Sequence, residues 1–166
     1  MSIDATQFKA VIGHFATGVT VVTTAAGEEM QGMTPNAVTS LSLEPLMLLV
    51  CVEKNTHTHR VLQEGGVFAV NVLGEHQEEV SRLFARRAEP EIGTLRGQRF
   101  RIGRTGAPIL EDCVAYLECE TTSRMDGGDH TIFLGRVVEA GVVREARPLI
   151  FFRGQYARLD GPAVNG

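Results

Sequence analysis

The stretch from Gly32 to Ser42, GMTPNAVTSLS, contains residue types suited to binding a flat ligand. Pro35 fixes its own φ angle and favours an extended conformation at Thr34, so the backbone is stiff here. Asn36 is a residue type that turns a chain or caps a helix. Short hydroxyl side chains follow at Thr39, Ser40 and Ser42. These properties suit a heteroaromatic ring with carbonyl and ring-nitrogen edges, but a polar loop between two strands explains them as well.

A second candidate site is the segment EKNTHTHR, residues 53–60. It places Lys54, Thr56, His59 and Arg60 near the start of a predicted helix, where backbone N–H groups and a partial positive charge suit a phosphate. A solvated helix start explains the same residues. The two histidines, His57 and His59, lack the i, i+4 spacing of a helical metal pair, so the sequence predicts no metal site.

Two further polar positions stand out. Asn71 is the lone amide in the apolar strand-like segment VFAVNVL, where it must pair either with backbone across the fold or with a ligand edge. Gly128, Asp129 and His130 form a glycine-rich corner between two predicted strands. Such a corner places His130 at the rim of the predicted sheet. There it is either a solvated loop residue or a functional one.

The sequence shows no convincing nucleophile, oxyanion hole or paired carboxylates. It also lacks G-x-G-x-x-G and P-loop motifs, so any nucleotide is held by another device. Hydride transfer through a bound cofactor fits these absences, because the protein then mainly stacks and aligns two rings.

The elements that must position these residues are mostly strands. An apolar i, i+3, i+4, i+7 stripe predicts a first helix with its cap at Asp4 or Thr6, and this stripe forms core or a subunit contact. A short helix capped by Asn55 or Thr56 follows a strand buried on both faces. A third helix, 77–87, carries Arg82, Arg86 and Arg87 as solvent-side cations or part of an anion pocket. The stripe residues of the first helix are Phe8, Val11, Ile12 and Phe15.

Predicted strands are 19–24, 30–33, 46–52, 67–73, 113–121, 131–139 and 149–152. Residues 89–107 are predicted to be a long surface loop with a short strand at 100–102, and 153–159 a polar tail.

Composition and charge exclude several classes. The 166 residues have a net charge of -4 and are 43% hydrophobic, which predicts a globular domain and gives no reason to expect nucleic acid. The longest apolar run, 46–52, is too short to span a membrane, and no signal peptide is visible. Three cysteines without a CxxC motif favour reduced core thiols in a cytoplasmic protein.

One helix, many strands and two inserted helices predict a mainly β (α+β) protein. The expected architecture is a split or closed antiparallel β-barrel with peripheral helices. We expect a single domain over residues 1–166, with its core at about 8–159.

The chain resembles the short-chain flavin reductases, the small reductase components of two-component flavin-dependent monooxygenases. Six segments carry the resemblance in family order: FATGVTVVTT, GMTPNAVTSLSLEP, LMLLVCVEKN, GVFAVNVL, GGDHTIFLGRVVEA and PLIFFRGQYARL. The resemblance implies a homodimer of FMN-binding split barrels, with FMN or FAD in a groove near the dimer interface.

The resemblance also implies roles for individual residues. Ring contacts of the flavin are expected at Met33, Thr34, Asn36, Ala37 and Ser40. Phosphate contacts are expected at Lys54, Thr56 and His59, with Asn71 and Arg82 as further flavin neighbours. His130, with Asp129, is expected beside the nicotinamide, in a site bordered by Phe152, Arg153 and Tyr156.

The implied reaction is hydride transfer from NADH or NADPH to flavin N5, after which reduced flavin leaves for a partner monooxygenase. One alternative is a split-barrel protein that holds flavin tightly as an electron carrier, store or sensor. Another is a structural dimer with an empty groove. The acidic segment at Glu53 departs from the pattern expected for the phosphate contacts. The choice between FMN and FAD is therefore left open.

Overall fold

The computed structural model of the protein describes residues 2–161. Within that range the chain forms three helices and thirteen strands. The helices are α1 (Ala5–Ile12), α2 (His57–Gly65) and α3 (Glu78–Ala85). The strands are β1 (Thr17–Gly18), β2 (Thr20–Ala26), β3 (Glu29–Met33), β4 (Val38–Leu43), β5 (Leu46–Glu53), β6 (Val67–Val72), β7 (Glu91–Ile92), β8 (Phe100–Ile102), β9 (Pro108–Leu110), β10 (Ala115–Gly127), β11 (His130–Val142), β12 (Ile150–Phe152) and β13 (Gln155–Ala157). None of the described helices is long and apolar enough to cross a membrane.

The main layer is an antiparallel sheet. Eight of the described strands form it in the order β4-β5-β11-β10-β6-β2-β3-β7. Three hairpins, β2–β3, β4–β5 and β10–β11, supply much of the pairing. A small sheet of β1, β12 and β13 ties the end of the described chain to its beginning. The predicted mainly β architecture with peripheral helices is confirmed.

Alternate residues of the central strands fill the apolar core. Val50 and Val52 of β5, Phe68 and Val70 of β6, and Phe133 of β11 are buried. This period of two is the expected pattern for a sheet with one face packed against a core.

The helix ends follow the sequence signals closely. Asp4 caps α1 in a capping box with Gln7, and Thr56 caps α2 by accepting from the His59 N–H at 3.2 Å. Gly66 ends α2 in the left-handed conformation, with φ 67°, which glycine adopts without a steric penalty.

β10 and β11 form a long hairpin that carries His130 at its tip. Each strand has 13 residues, and the turn contains only Gly128 and Asp129. Each strand also has one bulge, since Thr122 in β10 and Val138 in β11 have no opposite partner in the ladder. The first bulge shifts the pairing register and the second restores it.

The structure differs from the sequence-based expectations at several places. β5 is not buried on both faces: Leu48, Val50 and Val52 lie inside, while the alternate residues on its other face are only half-buried. The polar run at 38–43 is the edge strand β4, and the tail contains β13. The hairpin strand β10 begins at Ala115 and continues to Gly127, well beyond the predicted end at residue 121.

Candidate functional site

A cleft of about 1010 Å³ lies on one side of the barrel and has three walls. The first is the ledge, which we define as residues 33–37. The second is the end of β5 together with the start of α2, and the third is the wall segment, defined as residues 84–89, which follows from α3. His130 lies at the same cleft. The structure thus brings together seven of the expected site residues: Met33, Thr34, Asn36, Ala37, Lys54, Thr56 and His130.

The ledge is held by hydrogen bonds from both sides. Thr34 donates its backbone N–H to the Phe84 carbonyl at 3.2 Å and its hydroxyl to the Ser81 carbonyl at 2.8 Å. On the other side, the Cys51 N–H donates to the Ala37 carbonyl at 3.0 Å. Asn36 between these anchors is exposed. The ledge therefore presents to the cleft a stiff backbone and the Asn36 amide, which makes no hydrogen bond within residues 2–161.

Lys54 joins the second wall to the hairpin tip. Its ammonium group donates to Asp126 and, at 2.6 Å, to the Gly128 carbonyl. Its backbone N–H donates to the Asp129 carbonyl at 2.9 Å. These contacts fix the turn next to His130, and they use part of the hydrogen-bonding capacity that a phosphate would need from Lys54.

His130 is half-exposed, and its orientation is set by its neighbour in sequence. Nδ1 lies 2.7 Å from the Asp129 carboxylate, and this hydrogen bond holds the pKa of Asp129 below its usual range. Because a carboxylate only accepts, Nδ1 carries the proton in this contact. Within residues 2–161, Nε2 makes no hydrogen bond, so it is available to a ligand in the cleft.

The wall segment and Arg96 are functional candidates that sequence reasoning largely missed. Arg96, with φ 49°, donates to the Leu83 carbonyl and, at 2.8 Å, to the Arg86 carbonyl, and it packs over the Phe84 ring. Burial lowers its pKa from the ordinary value. Arg96 therefore ends α3 and fixes the wall segment. The only sequence signal was the arginine cluster at 82–87, which left an anion pocket open.

Two expected flavin contacts lie elsewhere. Ser40 is on the edge strand β4, outside the cleft. His59 faces a separate cavity, where Nε2 lies 2.8 Å from the Thr131 hydroxyl. Burial, aided by Arg124 and Lys54, lowers the pKa of His59, which favours its neutral form.

Asn71 has a structural role and lies outside the lining of the cleft. It is fully buried, and its amide donates to the Val21 carbonyl and to the Thr23 hydroxyl, both at 3.0 Å. Its side-chain oxygen accepts from the Leu110 N–H at 2.8 Å. Pairing with backbone across the barrel uses the polar groups that a ligand would need.

The remaining expected residues do not line the cleft. Arg82 pairs with Glu78 and lies over the Tyr156 ring, whose hydroxyl is 2.7 Å from Ser81 Oγ. Tyr156 lines a smaller cavity of about 230 Å³ behind the ledge, with Thr34 and Asn36 as shared lining residues. The other three lie outside both cavities: Asp129, Phe152 and Arg153.

The donor set of the cleft fits a planar ligand with an anionic tail. The ledge offers stiff backbone and the Asn36 amide. The cations lie on the other two walls, including Lys54, Arg86 and Arg87, together with the N-terminus of α2, and we call this part of the cleft its basic end. The Arg96 Nε is a buried donor without a partner among the described residues, on the same lining. The volume is at the upper end of the range of small-molecule and cofactor sites.

Comparisons with known proteins agree with this geometry. A family model described as flavin reductase like domain matches residues 12–160. The reductase subunit HsaB of a flavin-dependent monooxygenase from Rhodococcus jostii is 36% identical over 159 residues, which cover 96% of this chain and 80% of that protein. An NADH-dependent FAD reductase from Streptomyces globisporus is 39% identical over 165 residues, covering 98% and 90%.

Solved structures give the same result. Flavin reductase PheA2 superposes with a TM-score of 0.87 at 34% identity, covering 96% of this chain and 100% of that one. BorF, the flavin reductase component of a bacterial two-component tryptophan halogenase, has a TM-score of 0.87 at 38% identity, with the same coverage. The predicted split barrel and the predicted family are confirmed. The chain is a member of the flavin reductase-like family.

Proposed function

We propose that this protein is an NAD(P)H-dependent flavin reductase that supplies reduced FMN or FAD to a partner monooxygenase. The observation that carries the proposal is the cleft itself: a rigid ledge on one side and His130 at the same opening, in a chain of this family. The relatives named NADH-dependent FAD reductase and NADH-dependent FMN reductase support NADH and either flavin.

Flavin binding is assigned to the ledge and the basic end of the cleft. Met33, Thr34, Asn36 and Ala37 would contact the ring, and Lys54 and Thr56 lie where its phosphate-bearing chain would extend. When bound, the flavin supplies the redox chemistry, accepting a hydride from the nicotinamide at N5. The protein aligns the two rings and excludes competing arrangements, which is a positioning role.

His130 is assigned to the nicotinamide. Asp129 holds the proton on Nδ1, so Nε2 is presented as the group that contacts the donor. The two-residue turn and the Lys54 contacts keep this imidazole from moving with a flexible loop. Its proposed action is orientation of the nicotinamide rather than nucleophilic attack.

A stopped-flow comparison tests this assignment. Under anaerobic conditions, loss of flavin absorbance is followed after mixing with NADH or NADPH, for FMN and FAD separately. His130→Ala is expected to slow flavin reduction while leaving the flavin Kd nearly unchanged. His76→Ala, at an exposed histidine outside the cleft, is the matched control and should behave as wild type. A parallel fall in rate and flavin affinity for His130→Ala would contradict the division of the cleft into two sites.

The alternative of a tight flavin carrier or sensor has a distinct signature. Such a protein would be yellow after purification and would not be bleached by NADH without oxygen. An empty structural dimer would be colourless, and excess FMN or FAD would not change its melting temperature. If the protein is a reductase, NADH will bleach added free flavin, and each protein molecule will reduce many flavin molecules.

We also propose that the protein is a homodimer, on the evidence of α1. No residue of this helix is buried, although its apolar stripe includes Val11, 69% exposed, and Phe8, 57% exposed. An apolar helix face of this kind needs a partner surface, and a second copy provides one. Val11→Glu is expected to shift the protein towards monomer in sedimentation velocity. Ala10→Glu, on the opposite side of α1, is the control and should sediment as wild type does. A wild-type protein that sediments as a monomer would contradict the proposal.

The partner is assigned from the relatives and the compartment from the cysteines. Relatives are named as reductase subunits of monooxygenase systems, which supports a monooxygenase as recipient of the reduced flavin. The three cysteines are all free, and burial raises the pKa of Cys113 to about 11 and of Cys119 to about 12. Protonated core thiols fit the reducing cytoplasm.

A further inference from the structure

An ion pair crosses the mouth of the cleft between Glu53 and Arg87. Glu53 is the last residue of β5, and Arg87 belongs to the wall segment that follows α3. Arg87 Nη2 lies 2.6 Å from Glu53 Oε1, and both residues line the cleft. A second contact joins the same two walls, with His57 Nε2 at 3.3 Å from Glu89 Oε1.

Three of the other cations of the cleft are held by groups outside this pair. Lys54 is bound to Asp126 and a turn carbonyl, and Arg60 is bound to Glu29 and Glu64. Arg96 donates to backbone carbonyls at the end of α3. Glu53 is therefore the carboxylate that both places a negative charge at the mouth of the cleft and holds Arg87.

We propose that Glu53 sets how strongly the cleft prefers a phosphate-bearing flavin over a neutral one. This inference rests on the proposed function, because it takes flavin as the ligand. A flavin phosphate entering at the basic end meets repulsion from Glu53 and must compete with it for Arg87. Replacing Glu53 removes the repulsion and releases the Arg87 guanidinium, which binds phosphate well. Riboflavin has the same ring without a phosphate, so its affinity does not depend on this pair.

The expected effect is modest, because both side chains are partly exposed, 42% for Glu53 and 65% for Arg87. Interactions between exposed charges are screened by solvent and salt. Glu53→Gln is therefore expected to tighten FMN and FAD binding about two- to fivefold at low salt, with a smaller gain at high salt.

The experiment compares dissociation constants for riboflavin, FMN and FAD, measured by quenching of flavin fluorescence. The variants are Glu53→Gln, Arg87→Gln and the double variant. Glu78→Gln is the matched control, since Glu78 also pairs with an arginine, Arg82, but lies outside the cleft. Melting temperatures and far-UV circular dichroism establish that each variant is folded.

The supporting result is a rise in the riboflavin-to-FMN Kd ratio in Glu53→Gln, a fall in Arg87→Gln, and no change in Glu78→Gln. A smaller gain from Glu53→Gln when Arg87 is already replaced would show that the two residues act together. An unchanged ratio in Glu53→Gln, with flavins still bound, would overturn the inference alone. Failure of all three flavins to bind wild type would overturn the proposed function and the inference with it.

Discussion

Replacing Asn71 with alanine is expected to lower the stability of the fold severely while leaving the chemistry of the cleft in place. The Asn71 side chain joins β2, β6 and β9 through three hydrogen bonds inside the core. The Asn71→Ala variant loses all three. The Leu110 N–H is then left without this acceptor in a buried position.

The size of the loss follows from these contacts. Two donor hydrogen bonds are worth ~1 kcal/mol each, and a buried unsatisfied N–H costs ~1–3 kcal/mol, so the free energy of unfolding should fall by ~3–5 kcal/mol. For a chain of this length the melting temperature should fall by roughly 6–20 °C. Total stabilities of domains are about 5–15 kcal/mol, so the variant is expected to fold but to be marginal.

Urea unfolding followed by far-UV circular dichroism measures this loss, since the chain contains no tryptophan for fluorescence. The flavin Kd, measured well below the melting temperature, should stay near the wild-type value. A loss of stability below about 1 kcal/mol, an ordinary value for a point substitution, would refute the reasoning from the hydrogen bonds. A large loss of flavin affinity in a stable variant would instead show that Asn71 contributes to flavin binding.

Two further predictions separate site from scaffold. Asn36→Leu, at the exposed residue of the ledge, should change stability by less than about 0.5 kcal/mol. It should weaken flavin binding about 5- to 30-fold, as expected for one lost hydrogen bond to a ligand, and unchanged affinity in titrations would remove Asn36 from the site. The second prediction concerns pH. Burial lowers the pKa of His59 below 6.5, so as pH falls below 6.5 the unfolded chain takes up a proton that folded His59 does not. Stability should therefore fall from pH 6.5 towards the folded pKa, and melting curves at pH 7.5 and 5.5 should differ less for His59→Gln than for wild type. His76→Gln is the control, and an equal pH dependence in His59→Gln and wild type would contradict the assignment.

The sequence predicted those parts of the molecule that depend on local chemistry. The Asp4 and Thr56 caps, each one of two expected candidates, and the ledge around Pro35 follow from residue types and spacing. The long-range features were less accessible. The hydroxyl residues of β4 look like a loop because an edge strand can be polar, and pairing with β5 is what makes them a strand.

The differences between the expected site residues and the lining of the cleft have the same origin. Asn71 and His59 were expected near the flavin because buried or clustered polar residues often bind ligands. Their partners, Leu110 and Thr131, are 39 and 72 positions away in the chain. The missed wall segment has a comparable explanation, since Arg96 holds it through carbonyls of a preceding helix. Such pairings are properties of the folded topology rather than of any local pattern.

The paired bulges of the β10–β11 hairpin have a consequence for any change in its length. Because one extra residue on each strand cancels the other, the two strands reach the turn in phase. Deleting Thr122 or Val138 alone removes a residue that has no partner, so the ladder pairs on either side are kept, the two-residue turn at Gly128 is unchanged and His130 stays opposite Glu53. The two bulges are therefore the places where this hairpin tolerates a change in length, whereas deleting a paired residue such as Arg124 shifts the register of the tip by one.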